Sequence, residues 1–128
     1  RTSQNLQRTT ELLHAICNSI SHPVFAKDIE GRYQLVNAAM QELIGQPVDM
    51  IIGHRDAELF ANPTDAETVR AIDVRVLASG TRQVIEERVS LKGHVQAFHV
   101  VASPYTDGNG DVLGVIGTWY RVAERGAA

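Results

Sequence analysis

The stretch QVIEERVSLKGHVQAFHVVASPYTDGNGDVLGVIGTWYRV, residues 83–122, decides the fold. It reads as three strands joined by two turns. Gln83 to Leu91 has a partial period of two: Ile85, Val89 and Leu91 share one face, interrupted by Glu87, while Glu86, Arg88 and Ser90 share the other with Val84. Lys92-Gly93-His94 is a turn. Val95 to Ser103 is β-rich, and Pro104 is expected to close it. Tyr105 to Asp111 is dense in turn residues, and Val112 to Val122 is the last strand.

Upstream, the longest central helix begins at Pro63-Thr64-Asp65-Ala66-Glu67 and ends at Gly80. Thr64 and Glu67 have capping-box spacing; Asn62 as cap with Pro63 in the first turn is the alternative. Val69, Ile72 and Val76, with Ala71, give this helix an apolar face. Val24–Asp28 and Tyr33–Val36 read as a hairpin around Gly31. Asn37 suits the N-cap of a helix over Ala38–Ile44, and Gly45 suits its end. Residues 47–62 read as short helices and turns, anchored by Ile51, Ile52, Leu59 and Phe60. Thr2 to Ser21 reads as an amphipathic helix halted by Pro23. Leu6, Leu13 and Ile20 lie seven apart, with Thr9 and Ile16 between them, and Leu12 and Cys17 widen the stripe. This helix either lies on its own domain or pairs with a second copy through Leu6, Leu13, Ile16 and Ile20. The element order is α+β with an antiparallel sheet.

The chain has 128 residues, 44% of them hydrophobic and 21% charged, which fits one globular domain rather than a disordered or fibrous chain. Its formal net charge of −3 argues against a nucleic-acid partner. No apolar run reaches the roughly 18 residues of a membrane span, and no stretch reads as a secretory leader. A single cysteine, Cys17, excludes an internal disulfide framework and a cysteine-based zinc site. The expected location is the cytoplasm. Because the first residue is Arg1 rather than Met, the segment is expected to be cut from a longer protein.

Four signatures, in order, carry a family resemblance. They are the Asp28–Gly31 turn followed by Asn37; Leu43-Ile44-Gly45 with Ile52-Gly53; Leu77-Ala78-Ser79-Gly80; and Ser103-Pro104-Tyr105, Asp107-Gly108-Asn109-Gly110 and Gly114-Val115-Ile116-Gly117. Together they resemble a PAS sensor domain over residues 20–125. The resemblance implies a five-stranded antiparallel sheet with helices on one face. The N-terminal helix (1–21) then caps the other face or dimerises, 22–125 form the domain, and 126–128 begin a linker. It also implies a sensory or regulatory module that relays a signal to an attached output domain such as a histidine kinase or cyclase. Many members close the last strand with Asp-Ile-Thr-Glu-Arg; here the run is Arg121-Val122-Ala123-Glu124-Arg125, which departs at three positions.

Haem-binding members place an axial histidine where this chain has Arg70, and Asn62–Gly80 contains no histidine. The photoactive cysteine of flavin photoreceptors has no counterpart, so haem and covalent flavin are not expected, while non-covalent FAD stays open. Asp107–Asp111 echoes a calcium loop, but the glycine and glutamate positions hold Val112 and Thr118. His54-Arg55-Asp56 echoes a kinase loop whose asparagine position is Ala61; these charges are expected to cap or tether a short helix. The five histidines lack zinc spacing, and His99 is expected on the exposed side of its strand. No catalytic group or metal site is expected. A small organic ligand would lie in an apolar cavity lined by Phe25, Leu59, Val69, Ile72, Val76, Phe98, Val100, Val115 and Gly117. Arg70 would be either a surface residue or the partner of an anionic ligand. Gly114 and Gly117 could leave room beside the last strand. The rival function is a ligand-free homodimerisation or docking module.

Overall fold

Asp28 shapes the first hairpin. Its Oδ1 accepts the N–H groups of Glu30 and Arg32, both at 2.9 Å. Gly31 completes the turn at a φ of 86°, which favours glycine strongly. A Cβ there would lie 2.8 Å from Arg70 Nη1, so any other residue would also displace the end of that side chain.

The computed structural model describes residues 2–122. In chain order the elements are α1 (Thr2–Ser19), β1 (Val24–Asp28), β2 (Tyr33–Val36), α2 (Ala38–Ile44), α3 (Val48–Ile51), α4 (Asp56–Leu59), α5 (Pro63–Ser79), β3 (Gln83–Leu91), β4 (His94–Thr106) and β5 (Val112–Arg121). The strands form one antiparallel sheet in the order β2-β1-β5-β4-β3. The last strand therefore lies in the middle, between the hairpin and the β3–β4 pair.

Alternation sets the sheet's inner face. Phe25 on β1, Ile85, Val89 and Leu91 on β3, Phe98, Val100 and Ala102 on β4, and Val115 and Trp119 on β5 are buried. They pack with Val69, Ile72 and Val76 of α5 and Met40 of α2 in one core. Asn62 caps α5 by accepting the Thr64 N–H at 2.9 Å, with Pro63 as the first helical residue. This selects the second of the two caps the sequence allowed. Asp65 instead ties α5 to β3, accepting the Ser90 N–H at 3.0 Å.

Several boundaries differ from expectation. Pro104 does not end its strand, because β4 runs on to Thr106 and pairs Pro104 with Val115. The last β3 partner of β4 is Ala102, opposite Gln83, so β4 has a free side at Pro104, and a residue without an N–H is tolerated there. The first helix stops at Ser19, and β5 at Arg121.

Candidate functional site

Phe25 and Lys27 are two apart on β1, so both point inward. Lys27 is 1% exposed, and its ammonium bonds both Asp56 Oδ2 and Asp73 Oδ2 at 2.8 Å. The ammonium also lies 5.0 Å from the Phe25 ring centre and 4.7 Å from that of Tyr33, within cation–π range. Tyr33 donates its hydroxyl to Asp56 Oδ1 at 2.6 Å. Burial, with the Asp56 carboxylate adding to it, pushes the Tyr33 phenol well above its ordinary range and keeps it protonated. This cluster joins β1, β2, α4 and α5 at the centre of the domain.

Burial raises the Asp73 carboxyl above its ordinary 3.8, against the pull of Lys27. Above pH 3.8 the folded chain therefore holds a proton that the unfolded chain has released. The resulting stabilisation is full below that pH and is lost as the pH rises through the folded value. Urea midpoints from about pH 4 to about pH 7 should consequently fall more steeply with pH for the native chain than for Asp73→Asn. Parallel profiles would refute the assignment.

The charges of His54-Arg55-Asp56 cap and tether the short helix α4, as expected. The Asp56 carboxylate turns into the core, because Lys27 demands a second anion there. Asp56 thus ties α4 to the sheet, while Glu58 caps it, accepting the Arg55 N–H at 3.1 Å and meeting His54 Nδ1 at 2.9 Å. His99 is half exposed, as its strand position predicts, and faces Glu86 across the β3–β4 pair at 3.1 Å. Among the described residues no group of three His, Cys, Asp or Glu side chains is gathered to hold a metal.

The structure brings most of the expected ligand-facing residues together. Phe25, Val69, Ile72, Val76, Phe98, Val100 and Val115 are each at most 3% exposed and touch one another in the core. Leu59 packs half-buried against them. Gly117 leaves no free space, since a Cβ would lie 2.8 Å from the Phe25 ring and 2.7 Å from the Val101 carbonyl. Gly114 is tighter still against the Lys27 carbonyl. Both glycines serve close strand and ring packing.

Arg70 folds down over the hairpin turn. It donates through Nη2 to the Ile29 carbonyl at 3.0 Å and sits 3.6 Å from Asp73 Oδ2 through Nη1. Its other side borders a cavity of about 950 Å³ shared with Gly31, Arg55, Val74 and Arg75. A second cavity, of about 320 Å³, opens alongside α2, where Phe98 and Trp119 meet Leu43 and Arg121.

The N-terminal helix does not cover the outer sheet face. From Ser3 to Ile16 every α1 side chain is exposed, and Leu6, Leu13, Ile16 and Ile20 stand 38–64% exposed. Only Cys17 is buried among the described α1 side chains. Asn37 fastens the end of α1: its Nδ2 is 2.9 Å from the Cys17 carbonyl, 3.2 Å from that of Ile20 and 2.8 Å from that of His22. Its Oδ1 accepts the N–H groups of Val24 and Met40, both at 2.9 Å. In return, Asn18 Oδ1 accepts the Ala38 N–H at 2.8 Å. Helix α1 is thus tied at one end to the sheet and to α2 while its apolar stripe stays open. The expected exit beyond β5, with Glu124 and Arg125, lies outside the described residues.

Three lines of similarity agree with this architecture. The sequence profile of the PAS fold family matches residues 17–127, and the chain belongs to that family. The virulence sensor protein BvgS of Bordetella pertussis is 26% identical over 128 residues, covering 98% of this chain and 10% of the relative. The methanogenesis regulatory histidine kinase FilI of Methanothrix harundinacea is 32% identical over 116 residues, covering 90% of this chain and 13% of the relative. This chain therefore spans about a tenth of the length of these curated relatives. The PAS domain of Bordetella pertussis BvgS superposes with a TM-score of 0.79 at 25% identity, over 94% of this chain and 90% of that one. The Vibrio cholerae VqmA dimer, described in connection with DNA-binding mechanisms of LuxR-type receptors, superposes with a TM-score of 0.76 at 21% identity, over 89% of this chain and 51% of that one. That second likeness shows the fold alone.

Among the described residues no helix is long and apolar enough to cross a membrane. The sequence had pointed to most of these elements, but the Lys27 cluster was missed. Its signal was a lysine on the same strand face as Phe25, an inward position at which a cation requires buried acids.

Proposed function

We propose that this chain is the sensory module of a larger cytoplasmic signalling protein, relaying the state of a bound small molecule through α1 to an attached output domain. The observation that carries this reading is the Asn37 clamp, which couples an otherwise free helix to the sheet and α2. The packed set Val69, Ile72, Val76, Val100 and Val115 transmits strain between α5 and the sheet, with Arg70 and the Lys27 cluster fixing its far end. Ligand contacts come at the margin of this core, near Phe98. Kinship with a virulence sensor protein and a regulatory histidine kinase supports a kinase core as the output.

The exposed stripe Leu6, Leu13, Ile16 and Ile20 favours a second feature, pairing of α1 with its counterpart in another copy. Seven-residue spacing is self-complementary in a parallel pair and brings two output domains together. A ligand-free dimer module is the rival, and the closed packing of the central core is the observation in its favour. Native mass spectrometry beside a denaturing run tests the proposal. The expected spectrum is a dimer with extra mass that disappears on denaturation. A bare dimer would hand the function to the rival, and a bare monomer would refute both readings for this segment.

A further inference from the structure

Trp119 is 1% exposed, and its indole N–H has no acceptor among the described residues. Buried tryptophan N–H groups usually find a hydrogen-bond partner. This indole borders the cavity of about 320 Å³ at the end of the sheet. Phe98 stands edge-on to it, with ring centres 5.2 Å apart. Leu43 and Leu91 supply further apolar wall, and Lys92, Arg121 and Glu42 form part of the rim. Arg121 lies two residues beyond Trp119 on β5, on the same face, and its guanidinium sits 5.6 Å from the Phe98 ring centre. Neither Lys92 nor Arg121 forms an ion pair among the described residues. Two cations with no ion pair among the described residues thus face one carboxylate around a cavity of mixed polar and apolar lining, with an orphaned, shielded donor on a residue of its wall.

We propose that this cavity binds a small monocarboxylate with an apolar body. One carboxylate oxygen accepts the Trp119 N–H, Arg121 and Lys92 supply the opposing charge, and the body lies against Phe98, Leu43 and Leu91. A charge-assisted bond of this kind resolves the orphaned donor and selects anions over neutral or cationic molecules of the same shape. The inference rests on the sensory reading above, and it names the site and chemical class that reading needs. The site lies beside α2, whose N-terminus meets the Asn37 clamp, so occupancy is positioned to reach α1.

Trp119 is the sole tryptophan, so one indole resonance reports the site directly. The experiment titrates benzoate, and separately benzylammonium, into the labelled domain and follows that N–H by proton–nitrogen correlation. Benzoate should move it downfield saturably, with a Kd at or below about 1 mM, and benzylammonium should leave it in place. Arg121→Gln, an exposed substitution whose folding the remaining amide dispersion checks, should weaken benzoate at least about tenfold. An unmoved resonance at about ten times that concentration, equal shifts with both probes, or full benzoate affinity in Arg121→Gln would overturn the proposal. A denaturation-labile mass in the native spectrum together with an unmoved indole would reject this cavity while leaving the sensory reading standing.

Discussion

Lys27→Met should lower stability by about 4 kcal/mol, because removing one member of a buried ion cluster strands the others. Asp56 and Asp73 each take a 2.8 Å bond from the ammonium, and both are at most 2% exposed. Without it Asp73 has no hydrogen-bond donor among the described residues, apart from Arg70 Nη1 at 3.6 Å, while Asp56 keeps only the Tyr33 hydroxyl among its side-chain donors. The carboxyls must then take up protons to stay inside, so the loss should be larger at neutral pH than at acid pH. Against a domain stability of roughly 5–15 kcal/mol this is a large share. Replacing the whole cluster at once, with Tyr33→Phe, Lys27→Met, Asp56→Leu and Asp73→Leu, should recover most of the loss, since hydrophobic residues of similar volume often match a buried ion network. Urea denaturation of both variants separates the cases. A single variant within about 1 kcal/mol of the native chain would mean that the cluster contributes little, and a quadruple variant no better than the single would mean that it specifies the packing.

The cluster also shows where sequence reasoning stops. Strand alternation identified the inward apolar residues, because burial of Val, Ile and Phe repeats every second position on β3 and β4. Turn and cap chemistry is local, so Gly31, Asn37, Gly45 and Gly80 could be placed from neighbouring residues alone. Lys27, Asp56 and Asp73 are separated by 29 and 46 positions along the chain, and only the tertiary fold brings them together. The Pro104 boundary failed for a related reason: whether a strand tolerates a proline depends on whether its neighbour continues alongside. Helix α1 was legible as a striped helix, but which surface its stripe meets is a property of the assembly. The cavity at Trp119 was legible only through Phe98, which was expected to line a ligand cavity; its companions Leu43, Leu91 and Trp119 come from elements far apart in the chain.

Asn37→Ala should destabilise the domain by about 3 kcal/mol, the sum of a lost helix cap and buried backbone groups left without partners. The Met40 and Val24 N–H groups lose their acceptor, and the carbonyls of Cys17 and His22 lose their donor. Asn37→Asp separates the two halves of this role. A carboxylate still caps α2, but it has no N–H to give and places negative charge against three carbonyl oxygens. Hydrogen exchange should then remain slow over residues 38–44 and quicken over residues 2–19, even though Asn18 still holds the Ala38 N–H. The α1 stripe is untouched, so the proposed α1 pairing should persist. Under the proposed relay, the output of the longer protein should stop following the signal while retaining its basal level. Unchanged exchange in α1 would show that the helix is held by something other than Asn37 and would remove the mechanical link on which the relay depends.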